Sequence, residues 1–161
     1  MPKRSALRWL AIVGGAVAVL GAVWSLRSGP KGQGEFFYDI SEKRLFAAPR
    51  SAFAPVAGVG GPTGDGVEAV CVHCPTCGIK SKRIAYLRTH TPDYKQRQDA
   101  ADQTGAPIPE LTRDYIEENT LVRRLDDENW HAANTPEGAK IVTGWRGQCP
   151  EHGEYERPLR P

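Results

Sequence analysis

Five residues stand out for the chemistry that their types and spacing allow. Four cysteines occur in the 161-residue chain, at Cys71, Cys74, Cys77 and Cys149, and His152 follows the last by three positions. Cys74-Pro75-Thr76-Cys77-Gly78 and Cys149-Pro150-Glu151-His152-Gly153 are the same five-residue unit, with histidine in place of the second thiol. A tight turn that presents two ligands three residues apart calls for glycine after the second, because the backbone there tends toward positive φ. Two such knuckles offer Cys74, Cys77, Cys149 and His152. That is a four-donor set of sulfur and nitrogen, of the kind tetrahedral zinc takes.

The arrangement of hairpin, knuckle and distant second knuckle resembles a zinc ribbon, although the two knuckles stand farther apart than in compact ribbons. The resemblance covers the knuckles and the strands beside them, and it implies a structural zinc at Cys74, Cys77, Cys149 and His152. Four protein ligands close such a site, whereas a catalytic zinc keeps a position open for water. Other uses of the thiols stay open. Cys71-x-x-Cys74-x-x-Cys77 with a remote Cys149-Pro150 resembles the ferredoxin-type [4Fe–4S] pattern, which would recruit Cys71 and leave His152 unexplained. An oxidising compartment would favour disulfides or a redox-active Cys74 and Cys77 pair. His73, His90 and His131 are scattered and read as surface or partly packed side chains. The glycine-rich stretch from Ala54 to Gly66 ends in no Lys-Ser or Lys-Thr and reads as a connector, not a phosphate cradle. With no nucleophile elbow either, the chain is not expected to be an enzyme.

These ligands need elements to position them. Phe36–Ile40 and Leu45–Ala47 flank the polar Ser41-Glu42-Lys43-Arg44 and predict a β-hairpin. Val67–Val72 and Lys82–Arg88 predict a pair of strands on either side of the first knuckle. Thr91-Pro92 opens a polar helix to about Gln103, stopped by Gly105, Pro107 and Pro109. A short helix is expected near Leu111–Glu118, strands at Thr120–Leu125 and Trp130–Ala133, and a last helix from Thr135-Pro136 to about Trp145. Strands and helices mix without a βαβ rhythm. The expected class is α+β, with antiparallel hairpins and two or three short helices around a zinc-ribbon-like site.

The amino terminus is different in kind. Residues 1–8 carry Lys3, Arg4 and Arg8, and residues 9–26 contain no charge at all. Eighteen helical residues span roughly 27 Å, close to the hydrocarbon core of about 30 Å, and Trp9 and Trp24 sit near the two ends as interfacial anchors do. The segment reads as a transmembrane signal-anchor, with a cleaved signal peptide as its rival. Residues 27–34 form a polar, glycine-rich tether, and 35–161 the domain. The nearby basic residues favour an amino terminus held in the cytoplasm, a single pass through the inner membrane and an exported domain. Three of the 21 basic residues precede the apolar run, leaving 18 against 19 acids. A chain so balanced lacks the general basic character of a nucleic-acid binder. Only a local patch such as Lys80, Lys82, Arg83 and Arg88 would serve, and nucleic acid is not the expected partner.

Phe37-Tyr38-Asp39 with Leu45–Arg50, Ile84–Leu87 with Thr91-Pro92, and Leu121–Arg124 with Trp130 and Thr135–Gly138 resemble an uncharacterised family of bacterial single-pass membrane-anchored proteins. The resemblance implies an anchor and one domain, and brings no activity with it. The expectation is a membrane-tethered, zinc-stabilised binding or scaffolding module of the bacterial cell envelope, with an unidentified envelope protein as partner. The runner-up is a tethered iron–sulfur electron carrier.

Overall fold

A computed structural model describes residues 34–60, 64–108, 111–146 and 149. The basic flank 1–8, the apolar segment 9–26, residues 27–33 of the tether and His152 lie outside the described residues. Among those described, no helix is long and apolar enough to cross a membrane.

Six strands form one antiparallel sheet: β1 Gly34–Asp39, β2 Arg44–Pro49, β3 Gly66–Val72, β4 Arg83–His90, β5 Thr120–Arg123 and β6 His131–Ala132. Their order across the sheet is β2-β1-β3-β4-β5-β6. Three helices accompany them: α1 Pro92–Thr104, α2 Arg113–Asn119 and α3 Pro136–Thr143. The expected α+β class and hairpins are present. Gly34, assigned to the tether from sequence, already pairs with Pro49 in β1 and β2.

Each helix begins where a threonine side chain accepts a backbone N–H of the first turn: Thr91 from Tyr94, Thr112 from Tyr115, Thr135 from Gly138. Such caps satisfy donors that the helix itself leaves unpaired. Pro92 and Pro136 follow two of them, preset for helical φ. α1 stops at Gly105, whose φ of 67° places it in the left-handed region.

Alternation along the strands sorts the core into two faces. Val67, Ala69, Cys71 and Leu87 are buried together on one face, with Phe36, Tyr38, Leu45, Ile84 and Trp130 packed against them. Val70, Tyr86, Val122 and the α3 residue Ile141 form the core of the other. Val70 pairs with Tyr86 but Cys71 pairs with Ile84, so Ala85 is an extra residue. This bulge brings Ile84 to the first face, opposite Cys71.

At the Gly66 end of β3 sits a fully buried carboxylate, Asp39. Its Oδ1 accepts from Glu42 N at 2.8 Å and Ser41 Oγ at 3.0 Å, and its Oδ2 accepts from Val59 N at 2.6 Å. The backbone N–H of Glu42, reinforced by those of Val59 and Gly60 and the Ser41 hydroxyl, outweighs burial and holds the carboxyl below its ordinary 3.8. Asp39 thereby fastens the Arg50–Asp65 connector to the β1–β2 turn.

Candidate metal centre

The first knuckle lies between β3 and β4. Gly78 N donates to Cys74 O at 2.9 Å, closing the turn, and Gly78 has φ of 68°. This is the positive φ expected of a glycine after the second ligand. A short 3-10 helix, Gly78–Ser81, then leads into β4. Its last residue completes the knuckle: Cys74 N donates to Ser81 Oγ at 2.8 Å, and Ser81 Oγ donates to Gly78 O at 2.8 Å. One hydroxyl therefore serves two backbone groups of the loop that carries both thiols.

Cys149 reaches this loop from the far end of the chain. The ligand atoms of Cys74, Cys77 and Cys149 all lie within 4.8 Å of one another. Cys77 and Cys149, 72 residues apart, have sulfurs 3.9 Å from each other. Cys74 and Cys149 are buried and Cys77 is half-buried. None of the four cysteines is in a disulfide, and 3.9 Å is nearly twice the disulfide bond of about 2.05 Å. Three thiols brought this close could hold a metal ion. Three of the four ligands expected from the repeated unit are thus gathered at one point, and the fourth, His152, lies outside the described residues.

Cys71 does not join the group. It is buried in β3 against Ala69 and Leu87, and burial pushes its thiol above the ordinary 9.0 despite the positive charge of Lys82. The remaining histidines are elsewhere or differently engaged. His90 Nδ1 faces Ala54 O at 2.9 Å while its ring stacks on Phe53, with centroids 3.9 Å apart. His131 Nε2 stands 3.8 Å from Asp127 Oδ2. His73 Nδ1 is shut off from solvent with no hydrogen-bond partner among the described residues.

The basic residues of β4 reach different neighbours. Arg88 makes a two-pronged contact with Glu68, at 2.8 Å from Nε and 2.5 Å from Nη2. Lys82 Nζ stands 3.2 Å above the ring centre of Phe36, on the first face of the sheet.

No protein family, curated protein or solved structure matches the chain.

Sequence reasoning missed Ser81 and Asp39. Nothing about a serine four positions after Cys77 marks it as a brace for the knuckle, since serine is an ordinary loop residue. Asp39 precedes a polar turn and looks like one more turn carboxylate.

Proposed function

We propose that the chain is a membrane-tethered, zinc-stabilised binding or scaffolding module of the bacterial cell envelope. The observation that carries this reading is the convergence of Cys74 and Cys77, from the β3–β4 loop, with Cys149, from the segment after α3. Sulfurs bound at about 2.3 Å to one tetrahedral ion stand about 3.8 Å apart, close to the 3.9 Å between Cys77 and Cys149. The repeated unit makes His152 the fourth ligand, and three thiolates with one imidazole suit zinc. A [4Fe–4S] cluster gives each thiolate its own iron and so spreads the sulfurs more widely. It would also need Cys71, which is buried in β3 apart from the group.

A site closed by four protein ligands supports a fold and leaves water no place on the metal. Here it would tie the β3–β4 loop to the segment after α3. Function then falls to the surface so stabilised, and the apolar segment 9–26, with Lys3, Arg4 and Arg8 on its cytoplasmic side, would hold that surface at the inner membrane, with the domain exported.

Metal analysis of the purified full chain tests the reading. One zinc per chain and a colourless protein are expected. Cys71→Ser should keep that zinc, and His152→Ala should release it to a chelator far more readily. A brown protein that loses its metal in Cys71→Ser and keeps it in His152→Ala would replace zinc with a cluster. A reporter active only outside the cytoplasm, fused after Pro161, should be active. Its silence beside an active cytoplasmic reporter would reverse the topology.

A further inference from the structure

The two ends of the sheet differ in a way that the zinc site does not use. β1 opens at Gly34, and its antiparallel pairing with β3 sets Asp39 opposite Gly66, so Gly34 lies toward Val72 and the knuckle. Val72 pairs with Arg83, and β5 runs back along β4 from Thr120, opposite His90, to Arg123. Gly34, the knuckle, the start of β4 and the turn after β5 therefore share one end of the sheet. The last turn of α3 joins them, since Lys140, Gly144 and Trp145 line one cleft with Arg83, Arg124 and Leu125.

This is also the end at which the chain arrives from the apolar segment. Seven residues, 27–33, separate that segment from Gly34. A chain of that length reaches about 25 Å at full stretch, and a glycine-rich one averages only about 15 Å. The eight residues of β4 alone run for about 26 Å. With segment 9–26 in a bilayer, a domain standing on its His90 end would hold Gly34 beyond the reach of those seven residues. The Gly34 end has no such obstacle.

The surface at the Gly34 end has the chemistry of a membrane interface. Leu125 is 44% exposed. The half-buried Trp145 is held by its indole Nε1, which donates to Val142 O at 2.7 Å. Arg124, Lys140 and Arg146 are exposed around them, and none is ion-paired among the described residues. Leaving aside Arg83, which is already engaged, these three with Lys82 and Arg123 set five bases against Asp126, Asp127 and Glu128. α1 and α2 spring from the opposite end, beside His90, and carry six acids against three bases. Tryptophan settles at headgroup level, and basic residues are drawn to anionic headgroups.

We propose that the Gly34 end of the sheet docks on the lipid headgroups of the membrane that holds segment 9–26. Leu125 and Trp145 enter the headgroup layer, Arg124, Lys140 and Arg146 meet its anionic phosphates, and the more acidic helical end points away. The proposal rests on the membrane-anchor reading and does not depend on the metal. It sets the candidate metal centre on the membrane side of the domain.

The test places the full-length protein in lipid nanodiscs of phosphatidylcholine and phosphatidylglycerol, with a gadolinium chelate on some headgroups, and follows backbone amides by nuclear magnetic resonance. Amides close to the headgroups broaden. Those of Leu125 and Trp145 should do so, and that of Val59, equally exposed but beside Asp39 at the opposite end, should stay sharp. A basic residue near an anionic surface is worth roughly fivefold in partitioning. Arg124→Glu combined with Lys140→Glu should therefore cut the broadening severalfold, as should discs of phosphatidylcholine alone. Leu125→Asn gives the same readout should the charge-reversal variant fail to fold. Equal broadening at Leu125 and Val59, or broadening undiminished by the variants and by neutral lipid, overturns the docking and leaves the anchor standing. A full chain that does not enter the discs overturns the anchor and the docking together.

Discussion

The two ends of β3 are fastened by opposite chemistry. At the Gly66 end, the Asp39 carboxylate collects Glu42 N, Val59 N and Ser41 Oγ, and so holds a long connector with groups the protein already owns. Beyond Val72, three thiols from Cys74, Cys77 and Cys149 meet within 4.8 Å of one another. A buried carboxylate is stable when N–H groups solvate its charge. Were the three thiols of that group deprotonated, a cation among them would offset their mutual repulsion. The first tie is made by groups of the chain alone, whereas the second is one that a metal ion could complete. Each has a serine brace: Ser41 Oγ reaches Asp39 Oδ1 at 3.0 Å and Asp65 Oδ2 at 2.5 Å, and Ser81 spans Cys74 N and Gly78 O.

The largest effect should come from cutting the metal tie. Chelation, or Cys149→Ser, frees the segment after α3 from the β3–β4 loop. Because metal binding and folding are coupled, a loss of roughly 3–5 kcal/mol is expected, or about 15 °C of melting temperature for a domain this size. Calorimetry of the zinc-loaded and chelated protein measures it. A change of under about 2 °C would mean that the thiols are not a tie at all.

Asp39→Asn should act at the other end and more mildly. The amide keeps the shape but puts an NH₂ group where N–H donors already point, so the connector loosens and melting falls by several degrees. The pH dependence has a definite sign. The folded carboxyl titrates below its ordinary 3.8. Its contribution is therefore full above that value and is lost as the pH falls through the depressed folded value. Thermal melts between about pH 6 and 2 should show a shallower acid decline in Asp39→Asn than in the parent. Equal slopes would remove the carboxylate tie from the account.

The contrast also explains what could be read from the chain. Cysteine is scarce here and the Cys-Pro-x-(Cys/His)-Gly unit occurs twice, so Cys74, Cys77 and Cys149 were legible as a group although 72 residues separate the last two. Gly78 was legible for the same reason. Threonine followed by proline marked the starts of α1 and α3, while Thr112, with no proline after it, left α2 less defined. Asp39 was hidden because burial is a property of the folded sheet: the same residue in a hairpin turn is usually solvated. The bulge at Ala85 was hidden because the alternation of β4 does not show which partner residue is skipped.

The smallest effect separates the two serine braces. Ser81→Ala leaves the N–H of Cys74 and the carbonyl of Gly78 without their shared partner. Losing hydrogen bonds of this kind costs about 1 kcal/mol. It should show more clearly in the metal than in the melt. The hydroxyl fixes the loop that aims two thiols, and outer-sphere partners of this kind change metal affinity by roughly 10- to 100-fold. Competition with a coloured chelator should therefore find Ser81→Ala yielding its zinc at about one-tenth the chelator concentration the parent requires. Ser41→Ala, at the opposite end of β3, should cost similar stability and leave zinc competition unchanged. If both variants release zinc alike, the two ends are not independent, and the knuckle draws its rigidity from the whole sheet instead of from Ser81.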